Sequence, residues 1–167
     1  MILLLLALLS TPISREPPIP PHPCPVAALM GARLRLDDAR RSNACEAEGV
    51  LGTAGWSEEW IAGALANAWH ESGWQADAVG DRGRSVGFWQ LRDNGLGQGM
   101  GELRFDVSES TARIISSAQR QRLRPDRGDV RYAADMFCRL IMRPSDKVRK
   151  GEQRAETAAR LAADDPI

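Results

Sequence analysis

One glutamate stands in surroundings that could make it an acid catalyst. Glu71 lies in the stretch AWHESGW, with Trp69 and Trp74 on either side and Gly73 close behind. Burial among apolar groups disfavours the charged carboxylate, and so does the negative end of a helix dipole. A carboxylic acid that keeps its proton near neutral pH can act as a general acid. The alternative is a helix-end glutamate that points to water or pairs with an arginine.

The helix that carries Glu71 is marked at both ends. Ser57 is a favourable N-cap, Glu58 and Glu59 follow in the first turn, and Gly73 is a natural stop. The pattern therefore predicts a helix over residues 58–72, with Glu71 in its last turn at the edge of the apolar face. That face comprises Ile61, Ala64, Leu65, Ala68 and Ser72.

The rest of the chain from about Val26 also has helical periodicity. Helices are predicted over about 108–121 and 129–143, the latter ended by Pro144, and a last charged helix after Ser145. The inner face of that last helix is predicted to comprise Val148, Ala155, Ala158, Ala159 and Ala162. Residues 74–101 are rich in glycine and polar residues around the apolar piece VGFWQL, which suggests a small hairpin. The predicted fold class is mainly α, with a minor β segment.

Charge and length restrict the function. The chain has 167 residues and a formal net charge of zero, which suits one domain and argues against nucleic acid as a partner. The charges are uneven: residues 1–112 have nine Lys/Arg and fourteen Asp/Glu, whereas residues 113–160 have thirteen and six. This basic region is either a set of solvated helix faces or a flank that holds an anionic polymer.

The N-terminal region has two parts. Residues 1–14 contain the apolar run Ile2–Leu9, which is short for a membrane span and has no Lys or Arg before it. It is read either as an export signal or as a retained tail that contacts a membrane or a larger assembly. Residues 15–25 are dense in proline and are predicted to form a stiff spacer ahead of one domain over residues 26–167.

Three cysteines are present, and the pair Cys45 with Cys138 is the candidate disulfide, with Cys24 left over. The alternative for Cys138 is a place in the core, since it lies on an apolar helix face. With no CxxC motif and two histidines, the sequence predicts no metal site, and no cofactor is expected. The glycine-rich GLGQGMG lacks the ending of a phosphate-binding loop and is read as a mobile loop.

The segment that follows Glu71 resembles a known group. A helix-end Glu71-Ser72-Gly73-Trp74 element is followed, after a polar loop, by Ser85-Val86-Gly87-Phe88-Trp89-Gln90. This pair of motifs resembles the lysozyme-like superfamily of peptidoglycan-cleaving enzymes, in particular phage tail-associated lysozymes and lytic transglycosylases. The resemblance covers about residues 55–91, with a fainter match over 133–144.

The resemblance implies a role for each motif residue. Glu71 would protonate the leaving oxygen of a β-1,4 glycosidic bond. The remaining candidates would contact the sugars by stacking or hydrogen bonding, with core packing as the alternative for the aromatic ones. They are Ser72, Trp74, Ser85, Gly87, Phe88, Trp89, Gln90 and, on a later helix, Tyr132.

A second carboxylate would come from the loop, with Asp81 preferred to Asp77. It would activate water in an inverting enzyme or stabilise the cation in a retaining one. Alternatively Glu71 acts alone, as in lytic transglycosylases, whose muramic acid substrate attacks its own bond to give a 1,6-anhydro product. The alternative for Asp81 is a purely structural role as a turn residue in GDRG.

Three functions compete on these grounds. The first is a muramidase acting on peptidoglycan glycan strands, carried in a phage virion or exported to the periplasm or cell envelope. The second is a non-catalytic peptidoglycan-binding or structural module, associated with phage tail or envelope assembly proteins. The third is a cysteine peptidase using Cys45 and His70, which lacks an orienting third residue.

Overall fold

A computed structural model describes residues 23–163. This part of the chain contains six α-helices and one small antiparallel sheet, joined by loops and short helical turns. The helices are α1 (Pro25–Arg33), α2 (Asp38–Thr53), α3 (Glu58–Ser72), α4 (Val107–Arg120), α5 (Val130–Met136) and α6 (Lys147–Ala162). The strands are β1 (Val79–Gly80), β2 (Ser85–Val86) and β3 (Leu91–Arg92), paired in the order β1-β2-β3. The predicted fold class, mainly α with a small hairpin segment, is confirmed.

Helix α3 runs through the middle of the core and ends where the sequence predicts. The Ser57 hydroxyl accepts the Trp60 amide at its start, and Gly73 ends it in the left-handed conformation, with φ of 61°. The whole stretch from Trp60 to Ala68 is buried. At Gly63 an added Cβ would lie 2.6 Å from the Ala134 backbone nitrogen, so α5 can cross this closely only over a glycine.

Buried rings join α3 to the β segment. Phe137 packs against Trp56 and Trp89, with ring centroids 6.1 and 5.6 Å apart, and Trp89 packs edge-on against Phe88 at 5.0 Å. Phe137 begins a single π-helical stretch, Phe137–Met142, that continues α5 without a break. The predicted helix over 129–143 is therefore present, but its second half is more loosely wound.

The predicted inner face of α6 is correct only in part. Ala158 is buried as predicted, and Ala155, Ala159 and Ala162 are half-buried, but Val148 is exposed. The other buried residues of α6 are Gly151, Arg154, Thr157 and Leu161. This face is rotated because α6 approaches α5 at Gly151, where an added Cβ would lie 2.1 Å from a carboxylate oxygen of Asp135. Apolar spacing missed it because two of its members, Arg154 and Thr157, are polar.

Helix α1 is tied to α2 by a disulfide and a buried carboxylate. Cys24 bonds to Cys45, and Glu48 accepts hydrogen bonds from the amides of Val26 and Ala27. Burial raises the pKa of the Glu48 carboxyl, while these two amide hydrogen bonds oppose the rise.

The predicted Cys45–Cys138 disulfide is wrong. Cys138 is a free, buried thiol in the π-helical stretch, so the alternative prediction of a place in the core is the correct one. Burial raises the pKa of this thiol. The proline-dense stretch does not reveal this pairing, because its last residue, Pro25, is the first residue of α1 and Cys24 is the cap of that helix, next to α2.

The predicted apolar segment over residues 1–14 and most of the predicted spacer lie outside the described residues. Within residues 23–163, the helices are all too short or too polar to cross a membrane.

Candidate active site

A cleft of about 750 Å³ opens beside the C-terminal end of α3. Its lining comes from three parts of the chain. Glu71 belongs to α3, and the β segment contributes Asp81, Ser85, Trp89, Gln90, Leu91, Arg92, Gly95 and Leu96. The end of α4, the end of the π-helical stretch and the region of α6 contribute Ser117, Arg120, Gln121, Ile141, Met142, Arg143, Pro144, Ser145 and Lys150.

Glu71 lies in the last turn of α3, and about a quarter of its side chain is exposed. Its Oε1 accepts a hydrogen bond from Nη2 of Arg154 on α6. This ion pair is the only hydrogen bond of the Glu71 side chain within residues 23–163. The alternative that Glu71 pairs with an arginine is therefore the one observed.

Arg154 is a site residue that the sequence analysis does not predict. Its side chain is almost fully buried, and its Nε has no hydrogen-bond partner in the described part of the chain. The sequence offers little signal for it, because one arginine among the charged residues of α6 reads as solvated surface.

Asp81 is brought to the same cleft as Glu71. Its Oδ2 accepts a hydrogen bond from the Ser85 hydroxyl at 2.9 Å and lies 3.7 Å from Nε of Arg92. Its backbone is left-handed, with φ of 48°, so it also occupies the turn position that GDRG indicates. Asp77 does not line the cleft. Of the two loop aspartates, only Asp81 therefore lies in the cleft lining, and its role there stays a prediction.

Gln90 lines the cleft and also holds the hairpin in shape. Its Nε2 donates to the carbonyl oxygens of Ala78 and Gly87, at 3.0 and 3.1 Å. Gly87 is needed for a different reason: its φ is 80°, and an added Cβ would lie 2.0 Å from the Arg104 carbonyl oxygen. The Ser85-to-Gln90 motif is therefore built largely for backbone geometry.

Ser72 does not line the cleft but joins two motifs. Its hydroxyl donates to the Phe88 carbonyl oxygen at 2.7 Å and accepts the Trp74 amide at 3.1 Å. One side chain thus fixes the end of α3 to the second motif. The spacing of the two motifs reflects this contact, and Ser72 supports the site without reaching substrate.

The aromatic candidates are core residues here. Trp74, Phe88 and Trp89 are completely buried, and only Trp89 borders the cleft. Trp74 donates its indole N–H to the Leu65 carbonyl oxygen, and Trp89 donates to the Thr111 hydroxyl. None of the three offers a ring face on which a sugar could stack, so the core-packing alternative describes them.

Tyr132 lies away from the cleft. It is half exposed at the start of α5, where its ring meets the edge of Trp60 at 6.2 Å. The expected hydrogen bond from Tyr132 to substrate therefore has no geometric support at this site.

Cations dominate the cleft lining. In the described part of the chain, the cleft lining has two carboxylates, those of Glu71 and Asp81, and four basic side chains. They are Arg92, Arg120, Arg143 and Lys150. The last three belong to the basic region 113–160, so its excess charge is partly gathered at this cleft rather than spread over solvated faces. Such a lining attracts an anionic ligand.

The sequence matches the family described as phage tail lysozyme over residues 42–164, which includes α3, the β segment and α6. The chain belongs to the phage tail lysozyme family. The match covers every residue that lines the cleft and implies a lysozyme-like function that acts on the peptidoglycan of the cell wall. Comparison with curated proteins and with solved structures found no match.

Proposed function

We propose that this phage tail lysozyme relative is a muramidase that cleaves the β-1,4 bond between N-acetylmuramic acid and N-acetylglucosamine, with Glu71 as the general acid. One observation carries the proposal. Among the described residues that line the cleft there is one glutamate, Glu71 at the end of α3, and it is accompanied by Asp81, Ser85 and Gln90 from the β segment. This supplies a candidate proton donor, a second carboxylate and hydrogen-bonding groups in one cleft of about 750 Å³.

The reaction begins with proton transfer from Glu71 to the bridging oxygen as the sugar ring gains oxocarbenium character. Glu71 is proposed as the donor because about a quarter of its side chain is exposed and it lines the cleft, where a bridging oxygen can approach it.

Asp81 is proposed as the second carboxylate. Its contacts with Ser85 and Arg92 orient it in the cleft, where it can activate a water molecule or stabilise the cation. In the alternative mechanism Glu71 works alone and the substrate closes a 1,6-anhydro ring. Replacing Asp81 by Asn separates the two: hydrolysis depends on Asp81, whereas transglycosylation does not.

The basic lining suits peptidoglycan in particular. Its glycan strands carry lactyl groups and peptide stems with carboxylates, which the cations of the cleft attract. The expected partners are therefore peptidoglycan strands and, given the family, phage tail or envelope assembly proteins. The proposed setting is a phage particle or the cell envelope.

A non-catalytic peptidoglycan-binding module is the second candidate. The observation that favours it is the ion pair itself, because one of the two carboxyl oxygens of Glu71 is already bonded to the buried Arg154 and is not free to meet a substrate oxygen. Such a module would use the same basic lining to hold the polymer without cutting it.

Release of soluble muropeptides from purified peptidoglycan decides between them. We expect release by the full chain and by Glu152→Gln, which neutralises an exposed glutamate on α6, but not by Glu71→Gln. Equal release by all three proteins would remove Glu71 as the acid. No release by any of them, with peptidoglycan still bound, would favour the binding module. Mass spectrometry of the products distinguishes reducing-end muramic acid from 1,6-anhydro ends.

A further inference from the structure

Both carboxylates that line the cleft already have a cation beside them. Glu71 pairs with Arg154, and Oδ2 of Asp81 lies 3.7 Å from Nε of Arg92. Three further cations line the same cleft and have no ion pair within residues 23–163. They are Arg120, Arg143 and Lys150. The cleft therefore has positive charge that no ion pair of the described residues neutralises.

Arg143 has a strained backbone. It lies in the left-handed region, with φ of 48° and ψ of 51°, directly after the π-helical stretch. Pro144 follows it, and a proline further restricts the residue before it. An arginine at this position therefore costs folding free energy that a glycine would not.

Strain of this kind recurs in the cleft. Asp81 and Gln90 also line it, and their φ values of 48° and 49° are left-handed as well. Such residues are concentrated at ligand sites and active sites. Arg122, with φ of 54°, is left-handed too but does not line the cleft. Backbone conformation alone therefore does not mark a site, and the contacts of the Arg143 side chain decide.

Neutral groups hold the side chain of Arg143. Its Nε donates to the Leu140 carbonyl oxygen at 2.8 Å, and its Nη2 donates to Oε1 of Gln121 at 2.9 Å. Gln121 is oriented in turn, because its Nε2 donates to the Ser117 hydroxyl at 3.3 Å. Neutral acceptors fix a guanidinium without neutralising its charge, and within residues 23–163 they leave Nη1 without a partner. An oriented guanidinium of this kind is suited to bind a carboxylate.

The simpler explanation is that these cations stabilise helix ends. Arg120 is in the last turn of α4, and Arg143 donates to a carbonyl of the last π-helical turn. Both positions favour a cation, because helix carbonyls end there. Lys150 does not fit this explanation, since it lies close to the start of α6, where the helix dipole disfavours a cation. The contact of Arg143 with Gln121 is not explained by it either.

We propose that Arg143, together with Arg120 and Lys150, forms a subsite for a carboxylate of the substituent on muramic acid. The inference rests on the proposed function, because it names the part of peptidoglycan that this cleft selects. In intact peptidoglycan that carboxylate belongs to the peptide stem. Once the stem is removed, the lactyl group itself ends in a carboxylate. A polymer of N-acetylglucosamine has neither group, so the subsite distinguishes cell wall from chitin.

The test measures equilibrium binding of three disaccharides to the full chain by calorimetry. The first is N-acetylglucosaminyl-N-acetylmuramic acid with its peptide stem, the second is the same disaccharide without the stem, and the third is the uncharged chitobiose. All three lack the bond that the proposed muramidase cuts, so binding is measured without turnover. Arg143→Gly is compared with Arg122→Gly, the same substitution at a left-handed position away from the cleft.

We expect the wild type to bind at least one charged disaccharide more tightly than chitobiose. Arg143→Gly should raise the Kd of that disaccharide about three- to tenfold and leave the Kd of chitobiose unchanged. Arg122→Gly should change neither. The disaccharide that loses affinity identifies the carboxylate as that of the stem or of the lactyl group. Equal affinity of the wild type for all three sugars, an equal loss for chitobiose, or the same loss in Arg122→Gly would overturn the inference.

Arg143→Asn is a second neutral variant, because asparagine also tolerates the left-handed conformation. The same loss of affinity is expected for it. If Arg143 served only as a helix cap, both of its variants would lower the thermal midpoint and leave binding unchanged, which would overturn the subsite.

Binding and muropeptide release together distinguish this inference from the proposed function. Release by the wild type, with binding that does not depend on Arg143, would keep the muramidase and reject the subsite. Absence of release, with binding that does depend on Arg143, would reject the muramidase and keep the subsite.

Discussion

Arg154 on α6 donates a hydrogen bond to Glu71 on α3, a residue 83 positions earlier in the chain. The contact joins the last helix to the floor of the cleft. The helix-end glutamate is thus neither an isolated acid in an apolar setting nor a surface residue in water. It is one half of a largely buried ion pair, and this relationship determines what its variants should do.

Glu71→Gln should lower stability as well as activity. Glutamine keeps an oxygen acceptor but leaves the Arg154 charge without a counter-charge in a buried position. We expect the free energy of unfolding to fall by about 3 kcal/mol. This is the lower end of the range for breaking a buried ion pair, because Glu71 is partly exposed. Urea unfolding measures it. The double variant Glu71→Gln/Arg154→Met should recover part of the loss, and a double variant no more stable than Glu71→Gln would contradict the pairing.

Gly87→Ala should distort the cleft, whereas Gly83→Ala serves as its matched control. Both glycines have positive φ, 80° and 86°, but only at Gly87 would the new Cβ meet backbone, 2.0 Å from the Arg104 carbonyl oxygen. We expect Gly83→Ala to cost about 1–2 kcal/mol from its backbone conformation alone. Gly87→Ala should cost clearly more and should also lower muropeptide release, since Ser85 and Gln90 would move with it. If the two variants lost thermal stability and activity equally, the close approach of Gly87 to the Arg104 carbonyl oxygen would be refuted.

His70 should make the fold more stable as the pH rises through mildly acidic values. Burial, together with the charges of Arg154 and Arg160, lowers the pKa of His70 below its ordinary value of 6.5. Between the lowered folded-state pKa and 6.5 the unfolded chain binds a proton that the folded chain does not, so the free energy of unfolding increases with pH. This contribution is fully present above pH 6.5 and is lost as the pH falls through the folded-state pKa.

The measurement for His70 is urea unfolding across this pH range. His70→Gln should flatten the slope, because it removes the group whose lowered folded-state pKa produces it. The hydrogen bond between His70 Nε2 and the Thr157 hydroxyl offers a check, since Thr157→Val should weaken the fold without removing the slope. The same slope in wild type and His70→Gln would contradict the prediction.

Lys150→Gln and Arg120→Gln should weaken binding of peptidoglycan. Both cations line the cleft without an ion-pair partner in the described structure. We expect KM to rise about two- to fivefold for each, since partly exposed charges contribute modestly. The effect should shrink as salt is added, because salt screens exposed charges. Arg149→Gln, an exposed cation away from the cleft, is the control, and an equal KM for all three variants would exclude a role for the lining.

The sequence alone determined the features that depend on neighbours along the chain. A serine cap, acidic residues in the first turn and a stop glycine set the limits of α3 at Glu58 and Ser72. The two motifs likewise placed Glu71, Ser85 and Gln90 at one site, because the short connection between them leaves the chain little freedom. Helix starts, stops and turns are local chemistry, so they can be read without the fold.

Only the tertiary structure decided which side chains face the cleft and which face the core. The sequence is equally compatible with Trp74 and Trp89 as sugar-stacking or as packing residues, and their burial shows them to be packing residues. Cys24 paired with Cys45 because α1 lies against α2, a contact that spacing does not encode. Arg154 became the partner of Glu71 for the same reason. Contacts between distant segments depend on how whole helices pack, and periodicity along one helix carries no information on the partner that it meets.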